Sequence, residues 1–328
     1  MKTALITGVS GQDGSYLAEL LLNKGYMVVG THRYLLVKKY DQNNINTYFK
    51  NIGSLIENKN FKLEYGDILE PMSICKLIYK YKPNEIYNLA AQSHVNLSFD
   101  SSEITSKING FGVLSLLNLI IDIDPNIKFF QASSSDMYGE NNLTIVNEQS
   151  TFKPNTPYGC SKLFAHNLVN TYRKTYNIHA SCGILFNHES PRKGYNFATQ
   201  KIARSVARIK LGLDNKLLLG NLDLKKDWGH AREYVEAMWL ILQHNKPNDY
   251  IISSGKPYSL RLFVEKIFEY AQLDIYKYLE IDKKFYRHYE QNNIIGDASK
   301  INKELGWSSK VNLDDMVIEM YEHALSKF

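Results

Sequence analysis

With 328 residues, 44% hydrophobic and 22% charged, the chain can bury a large core, which excludes a disordered protein or a small disulfide-built scaffold. A net charge of +5, spread along the chain rather than clustered, suits an anionic small molecule and offers no nucleic-acid-binding motif. Cys75, Cys160 and Cys182 lack paired spacing, and neither a signal-peptide core nor an apolar run of membrane-spanning length is legible, so a cytoplasmic protein with free thiols and no membrane partner is expected.

The first element is an apolar strand, Ala4 to Ile6, running into a turn punctuated by Gly8, Gly11 and Gly14. Tyr16, Leu17, Leu20 and Leu21 then recur at helical spacing, and a second strand, Met27 to Gly30, completes a βαβ unit. In that context the glycines predict a dinucleotide cradle. The turn needs backbone conformations that a Cβ penalises, a pyrophosphate must approach the main chain, and the free N–H groups of the helix start favour an anion. After the second strand the chain reads Gly30-Thr31-His32-Arg33-Tyr34. An acid there would bind a ribose 2′-hydroxyl; Arg33 favours the 2′-phosphate of NADP, with NAD as the alternative. The stretch from Lys38 to Asn60, rich in Asn, Lys and Tyr, reads as a solvated loop with a short helix or as an arm to a neighbouring subunit.

Further strands are predicted at Phe61 to Tyr65, Glu85 to Leu89, Lys128 to Ala132 and Ala180 to Phe186, and helices over about 71–81, 103–122 and 158–176. This alternation predicts an α/β fold with a Rossmann-like doubly wound parallel sheet over residues 1–186, to which a segment at about 228–254 returns. Residues 187–328 read mainly as a smaller mixed α/β substrate domain. Function in such sheets lies beyond the carboxyl ends of the strands, where Gly8, Asp67, Ala90, Ser133 and Asn187 would gather.

Tyr158 and Lys162 stand four apart on a predicted helix and share one face. A lysine ammonium beside a phenol favours the phenolate, so the pair is a candidate base with a lowered tyrosine pKa. His94, His230, Arg232, Trp228 and Trp239 read better as structural residues. His188 and Glu189 have no second cluster to make a metal site with, so no metal is expected.

The segments TGVSGQDGSYLAELLL, YGDI, YNLAAQSHV, SSSDMYG, PYGCSK, GILFNHESPRKG, LGNLDLKKDWGHAREYVEAMWLILQ and GDASKINKELGW occur in order from about residue 3 to about residue 310. Together they resemble the extended short-chain dehydrogenase/reductases, and within them the GDP-mannose 4,6-dehydratase family. The resemblance implies that Gly8, Gly11, Gln12, Asp13 and Gly14 hold the cofactor pyrophosphate. It places Asp67 and Ile68 beside the adenine, and Ala90, Ala91 and Ser93 along the ribose and nicotinamide. Tyr158 and Lys162 fit the catalytic pair, Ser133 or Ser134 would bond the sugar 4-hydroxyl, and Asp136 takes the place of a glutamate base. Asn187, Lys201, Lys226, Arg287 and Glu290 match positions that bind a GDP-sugar.

The implied chemistry is oxidation at carbon 4, proton loss from carbon 5 and departure of water from carbon 6, giving a 4-keto-6-deoxy sugar from a hexose or heptose. Relatives of this kind are homodimers or homotetramers. Where the family pattern reads S-T-S-E, this chain has Ser133-Ser134-Ser135-Asp136, one methylene shorter at the carboxylate. The alternative is therefore an NAD(P)-dependent GDP-heptose 4-dehydrogenase that stops at the ketone; separately, Asp136 also reads as a carboxylate that caps a nearby backbone N–H.

Overall fold

Residues 1–33, 49–140, 143–286 and 294–328 are described by the structure, a computed structural model. Arg287 and Glu290, and residues 38–48 of the Asn- and Lys-rich stretch after the second strand, lie outside them. β1 (Thr3–Thr7) leads through the glycine turn to α1 (Gln12–Asn23), β2 (Met27–Thr31) and β3 (Phe61–Glu64). Then come α2 (Pro71–Tyr81), β4 (Glu85–Asn88), α3 (Ser102–Ile123) and β5 (Lys128–Ser134). The short β6 (Ile145–Val146) precedes α4 (Pro157–Tyr176), β7 (Ala180–Leu185) and β8 (Asn187–Glu189). They are followed by α5 (Ala198–Lys210), β9 (Leu217–Leu219), β10 (Lys225–His230), α6 (Ala231–Gln243) and β11 (Asp249–Ile252). The described chain closes with β12 (Pro257–Ser259), α7 (Leu260–Tyr270), β13 (Leu279–Ile281), β14 (Ile295–Gly296), α8 (Ser299–Leu305) and α9 (Leu313–Leu325).

Seven strands form one parallel sheet in the order β11-β7-β5-β4-β1-β2-β3. Strand alternation explains why it is covered on both faces. Leu5, Val29, Ile86 and Phe129 pack with α2, α3 and α4, whereas Ala4, Ile6, Val28, Tyr87 and Phe130 pack with α1 and α6. Each of the Val, Leu, Ile and Phe side chains among them contributes about 1.5–3 kcal/mol on burial. The order reverses between β1 and β4, so the turns after these two strands open a crevice at the carboxyl edge of the sheet. A second cluster, built on Ile202, Val206, Phe263, Ile267, Met316 and Met320 of α5, α7 and α9, stands behind the three-stranded sheet β12-β10-β8.

Helix α3 departs from the sequence expectation, because by length and composition it is apolar enough to cross a membrane. The reason is its place over a doubly covered sheet. Ile108, Val113, Leu116, Leu117 and Ile120 are buried in the core, while Lys107, Asn118 and Asp122 are exposed on its other side. Helix α4, which carries the Tyr158 and Lys162 pair, begins where Thr156 Oγ1 accepts the Gly159 N–H at 2.9 Å and Pro157 needs no intrahelical partner. It ends at Asn177, in the left-handed region at φ 53°.

Candidate active site

A cleft of about 890 Å³ lies along the carboxyl edge of the sheet. Its first wall is the glycine turn. Gly8 sits at φ +72°, and a Cβ there would lie 2.9 Å from the Ala90 nitrogen; a Cβ on Gly14 would lie 2.4 Å from the Gly8 carbonyl oxygen. Gly11 closes the turn by donating its N–H to Gly8 O at 3.0 Å. Side chains would fill this cradle, and it opens at the start of α1, so the residues present fit the phosphates of a dinucleotide. Ala90, Ala91 and Ser93 line the same cleft, and the Ala90 N–H is held by Thr7 Oγ1 at 3.1 Å.

Asp67 and Ile68 also line it, with the Asp67 carboxylate accepting the Leu69 N–H at 2.9 Å and thereby shaping the turn after β3. Arg33 lies in the cleft beside His32, whose imidazole is held down at about 4 by burial and by the Arg33 charge. Gln12 and Asp13, expected at the pyrophosphate, have their polar groups engaged by β8 and the residue after it. His188 Nε2 lies 2.9 Å from both Asp13 carboxylate oxygens, Ser190 Oγ donates to Gln12 Oε1 at 2.8 Å, and Gln12 Nε2 donates to His188 O at 3.3 Å.

Tyr158 and Lys162 are both buried on the cleft face of α4, with His166 one turn further along the same row. The Tyr158 N–H donates to Ser98 Oγ at 3.2 Å, and Lys162 Nζ donates to Ala132 O at 2.9 Å. Burial pushes the Tyr158 hydroxyl well above its ordinary pKa; Asp136 adds to the rise, and a hydrogen bond from Ser134 opposes it. This corrects the expectation that Lys162 lowers it. The ammonium stands 5.8 Å from the tyrosine ring centroid and is committed to a carbonyl, so burial prevails. Burial also brings Lys162 down to about 8, against the opposing pull of Asp13 and Asp136.

Pleating separates the two serines. Ser133 Oγ lies 3.0 Å from His166 Nδ1, whereas Ser134 Oγ donates to Asp136 Oδ2 at 3.0 Å and accepts the Asp136 N–H at 3.2 Å. Ser134, Asp136 and Tyr158 therefore act on one another. The serine in turn caps the Asp136 backbone N–H.

At the other side of the cleft, Asn187 opens β8 opposite Trp228, and Lys226 lies on β10 opposite Tyr258. Lys201 also lines the cleft; its Nζ donates to Leu218 O at 2.7 Å and lies 4.1 Å from the Phe285 ring centroid. Two further charged residues brace this side, Glu189, considered from the sequence only as a metal ligand, and Arg192, not singled out there. Glu189 is buried between Lys193 and Thr199, and Arg192 joins Ser15 and Glu19 while stacking on Tyr16 at 4.0 Å. Their signal was the density of charge in NHESPRK straight after a buried strand. Among the described residues no group of three or more His, Cys, Asp or Glu is placed to hold a metal ion.

The family model for GDP-mannose 4,6 dehydratase matches residues 5–320. The GDP-mannose 4,6 dehydratase of Cricetulus griseus is 45% identical over 98% of this chain and 91% of its own length. That of Homo sapiens is 44% identical over 97% and 90%, and the GDP-mannose 4,6-dehydratase of Sinorhizobium fredii 40% identical over 99% and 97%. Among solved structures, RMD from Pseudomonas aeruginosa complexed with NADPH superposes with a TM-score of 0.80 at 24% identity, covering 100% of this chain and 99% of that one. UDP-glucuronic acid 4-epimerase from Bacillus cereus superposes with a TM-score of 0.86 at 23% identity, covering 99% and 100%. These two share the fold.

Proposed function

Because the chain belongs to the GDP-mannose 4,6-dehydratase family of extended short-chain dehydrogenase/reductases and is an enzyme of that type, we propose that it converts a GDP-linked manno-configured sugar to the 4-keto-6-deoxy product. The observation that carries the reading is the meeting of Tyr158, Ser134 and Asp136 in the cleft whose other wall is the glycine cradle. Three jobs must converge on one sugar ring, and three suitable groups converge here. NADP is the proposed cofactor, supported by Arg33 in the cleft and by the NADPH of the Pseudomonas aeruginosa relative. Bound there, with Gly8, Gly11 and Gly14 at its phosphates, it would supply a hydride acceptor for the oxidation and a hydride donor for the later reduction.

Tyr158 takes the 4-hydroxyl proton, with Ser134 holding that oxygen and Lys162 placing positive charge behind the phenol. The ketone acidifies carbon 5, Asp136 removes its proton, the carbon 6 hydroxyl leaves as water with the proton that Tyr158 took from the 4-hydroxyl, and Asp136 returns its proton to carbon 5 once carbon 6 is reduced. Asn187, Lys201 and Lys226 provide neutral and cationic donors to the GDP diphosphate. In this reading residues 1–186, with about 228–254, serve the cofactor, and the rest mainly serves the sugar nucleotide. A homo-oligomer is part of the proposal, supported by exposed Leu97, Phe99, Ile104, Phe111 and Phe164 around α3 and α4.

A second reading rests on the Asp136 carboxylate, which is short and tied to Ser134: oxidation of a GDP-heptose that ends at the 4-ketone. Mass spectrometry of the product from GDP-mannose and from a GDP-heptose tests both. Loss of one water without accumulating reduced cofactor supports dehydration. Loss of two hydrogens with stoichiometric reduced cofactor supports the dehydrogenase, and no product from either sugar overturns both.

A further inference from the structure

His188 has an acceptor at each ring nitrogen. Nδ1 lies 2.7 Å from the Phe186 carbonyl oxygen, and Nε2 lies 2.9 Å from both oxygens of Asp13. A carbonyl oxygen only accepts, and so does an ionised carboxylate, so satisfying both contacts takes two ring protons. The ring is therefore an imidazolium. Its surroundings come from every neighbouring element. The Tyr234 ring of α6 lies 4.6 Å away, and Lys193 binds the His188 carbonyl oxygen at 2.9 Å and Glu189 at 2.7 Å. Burial disfavours the charged ring and Lys193 does as well, yet the Asp13 carboxylate outweighs them and His188 is held above its ordinary pKa. Burial likewise opposes the Asp13 charge, and His188 overcomes it and holds that carboxyl low.

The pair joins two ligand sites. Asp13 stands in the first turn of α1, at the cradle. His188 lies between Asn187 and Glu189 on β8, and β8 is in register with β10, which carries Lys226. Gln12 adds two more bonds across the same junction. An unpaired Asp13 carboxylate would repel a pyrophosphate, and an undocked β8 would misplace Asn187. Both ligands thus favour the closed junction, and what favours it for one favours it for the other.

Resting on the functional reading above, we propose that the Asp13–His188 ion pair is a clasp that makes dinucleotide and GDP-sugar bind cooperatively, with His188 acting as a positioning residue for Asn187. Its charge makes it a test of geometry as well as of binding. In full-length protein labelled with 15N-histidine, both His188 nitrogens are protonated at neutral pH, and Asp13→Asn converts the ring to the neutral form. By calorimetry, GDP tightens NADP+ binding by about fivefold or more in the wild type. Asp13→Asn, His188→Gln and the double variant each reduce that factor to within about twofold of unity, and the double variant is no worse than the single ones.

A neutral His188 in the wild type, an absent wild-type coupling, or single variants that keep it would overturn the clasp. Failure of GDP itself to bind would sink the functional reading instead. The clasp is then judged on the histidine signals and on NADP+ affinity, which falls above the His188 titration in the wild type and stays flat in Asp13→Asn. A misfolded variant is recognised by loss of the native histidine spectrum, and Asp13→Glu, which keeps the charge, then serves as the control that retains coupling.

Discussion

Ser134 and Asp136 hold one another from both ends: the serine Oγ donates to Asp136 Oδ2 at 3.0 Å and accepts the Asp136 N–H at 3.2 Å. The carboxylate is therefore pinned in the cleft and does not swing freely on its short arm. If it is the carbon 5 base, Asp136→Asn keeps the shape and removes the basicity. Elimination should fall by about a hundredfold or more, while carbon 4 oxidation continues. Product mass and absorbance of reduced cofactor, followed together, separate the two steps. Equal loss of both would assign Asp136 to positioning.

Tyr158 is buried, and its hydroxyl is held above the ordinary phenol range by burial and by Asp136. Tyr158→Phe removes the phenol oxygen proposed to take the 4-hydroxyl proton. Turnover should fall by about 10²–10⁴-fold for dehydration and oxidation alike, with NADP+ affinity within a few-fold of wild type. Single-turnover kinetics with a binding titration check this, and a variant that keeps most of its turnover would move the base elsewhere.

Much of this arrangement is legible in the chain because it is local. Gly8, Gly11 and Gly14 between two apolar strands announce the cradle, and the four-residue step from Tyr158 to Lys162 announces a shared helix face. Alternating strands and helices fix the parallel sheet for the same reason. What stays hidden depends on distant pairing. Asp13 and His188 are 175 positions apart, and nothing near either one names the other. Ser133 and Ser134 must face opposite ways in a strand, yet that the first meets His166 and the second Asp136 is decided by where α4 packs and how the turn after β5 folds back. The apolar length of α3 similarly reports a buried stripe only once the sheet beneath it is known.

The glycine turn gives the sharpest steric prediction. A Cβ at position 14 would meet Gly8 O at 2.4 Å and Val9 Cα at 2.7 Å, and both are backbone atoms that cannot rotate aside. Gly14→Ala should destabilise the fold by about 1–3 kcal/mol and abolish measurable NADP+ binding, because α1 must move away from the cradle. At Gly25, where no atom lies within 4 Å of the added Cβ but φ is +80°, alanine should cost stability through strain and leave NADP+ binding unchanged. Thermal unfolding and a calorimetric NADP+ titration distinguish the two outcomes.

Lys162 separates stability from activity by pH. Burial places its pKa at about 8, below the 10.5 of the unfolded chain. Between these values the unfolded state binds more protons than the folded one, so this group's contribution to stability rises with pH through that window. Below about 8 the lysine is charged in both states and carries its full burial cost. Catalysis runs the other way, since the positive charge behind Tyr158 is lost as the pH climbs through the same value. We expect kcat/KM to fall above pH of about 8 while this group no longer penalises the fold. Lys162→Met should remove that limb of the profile, lower turnover by about 10²-fold or more and leave the melting temperature unchanged or raised. Parallel pH series of initial rates and thermal unfolding test it: a melting temperature that drops in step with activity between pH 8 and pH 10.5 would mean that the alkaline loss is unfolding, not the titration of this lysine.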